Sequence, residues 1–314
     1  MHLTVAAWVA GAAFIALLAL ELLSRRERSR LRSTRLTVTV PYLHPDLQGL
    51  RLVFLSDLHV PLMYVPHETL LEAVAELRPD LIALGGDYAG SRFSEDDARE
   101  LVLDIARRGP TVAVCGNTER YFGWELEHLD RALGERGGRL LRNEAWAMTR
   151  GGATVEVLGL DEPIHAVPDA EAALAQADPG ADLRIALAHS PAAWQDIAHL
   201  RAHIALCGHA HGGQVRLPGL EALIVHWNYP REMASGLFRL HDGREPGYER
   251  LADHWQMLRT EQPIEVRAGD GVPMYVSRGV GVTAPRLRLL CPPEVVCVEF
   301  VAASNDAKEQ ATER

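Results

Sequence analysis

The sequence predicts an α/β fold behind an N-terminal transmembrane helix. Five short apolar runs end at residue types that bind metals: FLSDLH (Asp57, His59), LIALGGD (Asp87), VAVCGN (Asn117), IALAHS (His189) and IALCGHAH (His209, His211). Apolar runs of this length bounded by turn residues read as buried strands, and strand C-termini opening into loops are where α/β proteins gather polar groups. Segments of helical period lie between the early runs, and a charge-free stretch followed by arginines opens the chain.

Residues 3–20, LTVAAWVAGAAFIALLAL, would span on the order of 27 Å as a helix, close to the hydrocarbon thickness of a bilayer. No basic n-region precedes this stretch and no clear A-x-A site follows it, whereas Arg25, Arg26, Arg28, Arg30, Arg32 and Arg35 come directly after. The positive-inside rule then places the body of the chain on the cytoplasmic face of the cell inner membrane, held by a single span. The competing reading is a weak, Ala-rich export signal with the body outside. Four segments result: an anchor at 1–23, a basic juxtamembrane linker with the first strand at 24–40, a folded domain at 41–303 and a disordered tail at 304–314.

Within the domain, RLTVTVPYL (35–43) alternates like an edge strand and LQGLRLVFLSDLH begins the core. Helical patterns follow around 67–80, 94–109 and 124–137, the second opened by Ser94 as a helix cap. Further strands are expected at 153–158, 184–188 and 203–207. Beyond residue 212 come strands and Gly/Pro-rich loops, while 241–270 are polar, carry no motif and read as an insertion.

The formal charge is −10, and residues 1–35 hold six Arg against two Glu, which leaves −14 for the rest. So acidic a body is a poor partner for a nucleic-acid backbone, and no nucleic-acid partner is expected. Cys115, Cys207, Cys291 and Cys297 fall in no zinc or redox spacing. Cys115 and Cys207 close apolar strands, where a thiol serves as a small buried hydrophobe, so a reducing compartment is compatible.

Seven donors of Asp, Asn and His type at successive strand ends suit a pair of dications. In order and spacing, D-x-H, G-D, G-N, H and G-H-x-H resemble the signature of the calcineurin-like metallophosphoesterase superfamily, from about residue 41 to residue 302. The resemblance implies a two-sheet αββα sandwich, with Asp57, His59 and His211 on a first metal, Asn117, His189 and His209 on a second, and Asp87 bridging both. Asp87, Asn117 and His189 would then be catalytic, with Glu119 a further candidate. Imidazole with carboxylate suits manganese, iron, zinc or cobalt better than magnesium alone, and the sequence does not choose among them; manganese is the first expectation. Gln214 in GGQ, and Arg278 and Arg286 in YVSRGVGVTAPR, resemble segments of bacterial members and are candidates for substrate contact; solvated or fold-stabilising arginines are the alternative. His44, His67, His128, His165, His199, His226, His241 and His254 read as satisfied structural or surface residues, and His203 is left open.

Two departures from the family's pattern bear on function. Most members read G-N-H-D, where the histidine protonates the leaving oxygen; this chain reads Gly116-Asn117-Thr118-Glu119, and Gly90 stands where others have a carboxylate. A threonine hydroxyl releases no proton near neutral pH. Either the protein is a metal-bound interaction module without turnover, or its leaving group departs as an anion. A phosphate-type leaving group, with a second pKa of about 6, does so. The UDP-2,3-diacylglucosamine diphosphatases of lipid A synthesis resemble this chain in lacking that histidine. The expectation is a membrane-anchored phosphohydrolase acting on a pyrophosphate or activated phosphoester in a lipid-linked substrate, with a general phosphodiesterase or phosphatase as the alternative enzyme.

Overall fold

Along LRLVFL, Leu50, Leu52 and Phe54 face one way and Val53 and Leu55 the other, and all five are buried. A strand that is apolar on both faces needs cover on both. The computed structural model, which describes residues 2–225, 228–243 and 246–303, supplies a second sheet on one face and helices on the other. His226 and the stretch 304–314 read as a tail lie outside the described residues.

The strands in chain order are β1 (Arg32–Val40), β2 (Leu50–Leu55), β3 (Leu81–Leu84), β4 (Thr111–Val114), β5 (Arg139–Leu141), β6 (Glu144–Arg150), β7 (Ala153–Gly159), β8 (Leu183–Ala188), β9 (Ile204–Cys207), β10 (Gly236–His241), β11 (Gly247–Ala252), β12 (Ile264–Arg267), β13 (Val272–Val276) and β14 (Glu294–Ala302). They form two sheets, ordered β12-β1-β14-β2-β3-β4-β5 and β11-β10-β13-β9-β8-β7-β6. The helices are α1 (His2–Arg28), α2 (His67–Leu77), α3 (Glu95–Ala106), α4 (Asn117–Phe122), α5 (Leu126–Gly134), α6 (Ala170–Leu174), α7 (Trp194–His199) and α8 (His254–Arg259).

Between the sheets, Leu52, Phe54, Leu81 and Val112 meet Val157, Ile185, Leu206 and Tyr275. Val74, Leu101 and Leu129 of α2, α3 and α5 cover the outside of the first sheet, and Ala173 and Ile197 of α6 and α7 cover the second. This is the four-layer αββα sandwich. β2, β3 and β4 run parallel, as do β8, β9 and β13, and the loops leaving their C-terminal ends meet at one edge of the sandwich.

Four expectations need correction. β1 is not an edge strand: it pairs with β14 along its whole length and with β12 on its other side, both in parallel. Its edge partner comes from residues 264–267, inside the segment read as an insertion. That segment also supplies β11 to the second sheet, so 241–270 closes both sheets and is part of the fold. Ser94 precedes α3, but its hydroxyl donates back to the Ser91 carbonyl and makes no capping bond to the helix. Residues 24–28 are no linker either; α1 continues through Arg28, and three residues separate it from β1.

The stretch Trp8–Arg28 of α1 is long and apolar enough to cross a membrane by length and composition. Trp8, Phe14, Ile15 and Leu17 stand exposed on it. Its last turn, by contrast, is docked: Ser24 and Arg28 are buried, the Ser24 hydroxyl accepts the Arg288 backbone N–H at 3.0 Å, and an Arg28 guanidinium N–H donates to the Arg286 carbonyl.

Candidate metal centre

The loops after β2, β3, β4, β8 and β9 converge on two groups of donors. The ligand atoms of Asp57, His59 and His211 lie within 4.8 Å of one another, as do those of Asp87, His189 and His209, and all six residues are buried. Asp87 joins the groups: its Oδ2 is 3.4 Å from His59 Nε2 and its Oδ1 is 3.5 Å from His189 Nε2. His59 Nε2 and His211 Nε2 are 3.0 Å apart, His209 Nδ1 lies 3.1 Å from His189 Nε2, and Asn117 Oδ1 lies 3.0 Å from the same nitrogen. The seven residues named from the strand ends are therefore neighbours.

Local backbone geometry aims them. Asp57, His59, Asp87, His209 and His211 all adopt left-handed φ values between +47° and +66°. Side chains other than glycine seldom hold this conformation, and they keep it where the surrounding structure over-determines it. The G-D and G-N loops also touch. A Cβ on Gly116 would lie 2.1 Å from Asp87 Oδ1, and one on Gly86, at φ +86°, would lie 2.4 Å from the Gly116 nitrogen. The His189 Nδ1–H donates to the Gly85 carbonyl at 2.7 Å, which turns the Nε2 lone pair toward the centre.

Charge is concentrated here with little solvent to spread it. Burial, countered by His189 and reinforced by Asp87, pushes Asp57 up to about 7. Burial also raises Asp87, but His189, His59 and His209 outweigh it and hold the carboxyl below its ordinary range. The His211 ring is held well below its usual value by burial and then by His59, so it stays neutral. For His189, burial acts against protonation and Asp87 with Asp57 outweighs it. Four imidazoles, two carboxylates and an amide oxygen gathered here form a donor set that suits two divalent ions.

Residues 50–213 match the calcineurin-like phosphoesterase family. The chain belongs to that family. It is 32% identical over 261 residues to phosphodiesterase YaeI of Escherichia coli K12, covering 80% of this chain and 82% of that protein. It is 25% identical over 256 residues to the uncharacterized metallophosphoesterase YkoQ of Bacillus subtilis, covering 80% of this chain and 83% of that protein. A zebrafish (Danio rerio) transmembrane protein with metallophosphoesterase domain is 31% identical over 193 residues, 57% of this chain and 44% of that protein.

Above the family's metal donors lies an open cleft of about 450 Å³, with Thr118 and Gly90 on its wall. The Thr118 hydroxyl lies 3.0 Å from Asp87 Oδ1 and its backbone N–H donates to the same oxygen at 2.9 Å, so this residue holds the Asp87 carboxylate in place. At Gly90 a Cβ would lie 2.9 Å from the His59 carbonyl, which leaves no room for the carboxylate of other members without a shift in the loop.

The remaining candidates divide. Glu119 is fully buried behind the loops, where its carboxylate accepts backbone N–H groups of Asp87, Tyr88 and Gly116 at 2.7–2.9 Å. It clamps two loops of the centre together and is not among the residues that line the cleft, unlike the catalytic placement expected of it. Gln214 is 2% exposed, and its amide exchanges hydrogen bonds with Thr283 and donates to the Pro285 carbonyl. Arg278 is equally hidden, with its guanidinium 2.6 Å from Glu294 Oε2. Both hold the closing segment and make no substrate surface. Arg286 does line the cleft.

Sequence reasoning missed Arg288. Buried, it donates to the carbonyls of Arg278, Gly279, Gly281 and Cys291. The Gly281 N–H in turn donates to the Asp57 carbonyl, so Arg288 braces the loop that backs the first triad. Arg286 is exposed and Arg288, two residues on, is buried; an alternating pattern would put both on one face, so the sequence carried no signal for the difference. Among the structural histidines, His203 accepts the Arg184 backbone N–H at 3.0 Å, and His254 is fully buried between the Ser235 hydroxyl and the Leu290 carbonyl.

Proposed function

We propose that the chain is a membrane-anchored, two-metal phosphohydrolase that cleaves a diphosphate, or another phosphoester with an acidic leaving group, in a lipid-linked substrate such as UDP-2,3-diacylglucosamine. The observation that carries this reading is the cleft wall. Apart from the metal donors, its described residues are Leu62, Gly90, Thr118, Thr283, Ala284 and Arg286, none of which releases a proton near neutral pH. Glu119 is turned away, with its oxygens on backbone N–H groups.

Two divalent ions, manganese first among them, would when bound acidify a water and draw charge from the phosphoryl oxygens. The chain's own part is to orient and neutralise. Asp87 presents one oxygen to each triad, and Thr118 fixes that carboxylate by two hydrogen bonds. Arg286 brings a guanidinium to the rim, where it can balance charge on a departing phosphate oxygen but cannot protonate an alkoxide. A leaving group that is already a stable anion suits such a cleft. The exposed apolar face of α1 supports attachment to a membrane, where a tether raises the local concentration of enzyme toward lipid-linked substrates.

The similarity to phosphodiesterase YaeI favours a second reading, a phosphodiesterase of broader range. Full-length protein loaded with manganese, offered nucleotide-diphospho-lipids and dialkyl phosphodiesters, separates the two. Turnover confined to the diphosphates is the expected result, and equal turnover of dialkyl esters would favour the second reading. Two bound metals with no turnover of any ester would leave a binding module.

A further inference from the structure

Arg286 lines two cavities. One is the cleft above the metal donors; the other, of about 570 Å³, lies at the foot of α1 between Glu21, Arg25, Arg28, Tyr64 and Leu287. The two spaces therefore share one residue, Arg286. The second cavity carries three arginines against one carboxylate. Glu21 Oε1 is shared, 2.8 Å from both Arg25 Nε and Arg28 Nη2, and Arg28 also lies over the Tyr64 ring at 4.0 Å. Arg28 is thus used by the fold. Arg25 keeps most of its surface exposed, and the Arg286 guanidinium makes no ion pair or hydrogen bond among the described residues.

The place of this charge matters as much as its excess. Ser24 and Arg28 are hydrogen-bonded to residues 286–288, so the last turn of α1 is docked on the segment that forms the rim of the cleft. If Trp8 to Leu23 fill the hydrocarbon, Arg25 and Arg28 emerge at the level of the lipid headgroups, where arginines stop a span. The second cavity then opens at the membrane surface, and the metal cleft begins one side chain away.

We infer that this cavity is a second anion subsite: it holds a phosphate or carboxylate of the headgroup of the same lipid whose phosphoryl group reacts at the metals. The lipid's acyl chains remain in the bilayer beside α1. Guanidinium groups suit such a ligand because their planar N–H forks match phosphate and carboxylate oxygens. This inference rests on the lipid-linked reading of the function, but its test needs no turnover.

The test uses full-length, manganese-loaded protein in detergent, saturated with inorganic phosphate so that the metal centre is filled, and reads thermal stabilisation on titration with short-chain lipids. Dihexanoyl phosphatidic acid should raise the unfolding temperature at concentrations where dihexanoyl phosphatidylcholine and glycerol 3-phosphate do not. Arg25→Ala and Arg286→Ala should each weaken that response about tenfold, the loss expected of one charge-assisted contact. Arg26→Ala, one residue along the helix and outside the cavity, should leave it unchanged and controls for net charge. Equal responses to the anionic and zwitterionic lipids, or an undiminished response in Arg25→Ala and Arg286→Ala, would overturn the subsite. A response to glycerol 3-phosphate as strong as to phosphatidic acid would overturn its lipid specificity. Failure of phosphate-free, manganese-loaded protein to hydrolyse bis(nitrophenyl) phosphate would instead count against the enzyme reading.

Discussion

Asp87 is the residue on which both triads depend, since one of its oxygens faces each. Asp87→Ala should abolish turnover and leave one bound ion or none by elemental analysis; a fully active variant would contradict the centre as drawn. The donors were legible because a polar residue that ends an apolar strand has few reasons to be there. Gln214, Arg278 and Glu119 were not legible, because a sequence does not distinguish a polar group aimed at substrate from one buried on backbone partners. His254 shows the same limit. It lies outside the site, as the sequence suggested, yet its burial and the nearby Arg216 push its pKa down to about 3. A ring neutral in the folded state and protonated in the unfolded state below pH 6.5 stabilises the fold above that pH and loses its effect as pH falls toward 3. Between pH 7 and pH 5 this should remove about 2 kcal/mol of stability. Unfolding midpoints should show that His254→Gln lacks this part of the acid sensitivity while its specific activity at pH 7.5 remains near that of the parent. An equally acid-sensitive variant would refute the assignment.

At the scale of elements, the site depends on a strap, residues 277–291, that passes behind Asp57 and is braced from within by Arg288. Arg288→Met should lower stability by about 3 kcal/mol or more, because four carbonyls lose a charged donor in the interior. It should also reduce occupancy of the centre formed by Asp57, His59 and His211. Wild-type stability and metal content in this variant would show that the brace is unnecessary. The strands leading to the metal loops could be read from apolar runs closed by turn residues, and α2, α3 and α5 from their period. β1 was misplaced because an alternating pattern tells which face is buried but not what lies along the edges. Its outer partner, β12, comes from a polar segment more than two hundred residues later, where four residues carry too little pattern to announce a strand.

For the whole molecule, α1 and the cleft form one device: the helix end packs on the segment that forms the cleft's rim. The arginines after the span predict a cytoplasmic catalytic domain, so a phosphatase reporter fused at residue 314 should be silent and a cytoplasm-dependent fluorescent reporter bright. The reverse pattern would mean export. The central claim, that the cleft holds metals but no acid for the leaving group, is tested most directly by the dependence of rate on leaving-group acidity in wild type and in Thr118→His. With chemistry rate-limiting, rates on a series from nitrophenyl to alkyl esters should fall steeply as the leaving group becomes more basic. Thr118→His should raise the alkyl rates by up to roughly 100-fold, and the nitrophenyl and pyrophosphate rates little. A flat dependence in the wild-type protein, with alkyl esters cleaved as fast as pyrophosphates, would contradict the account.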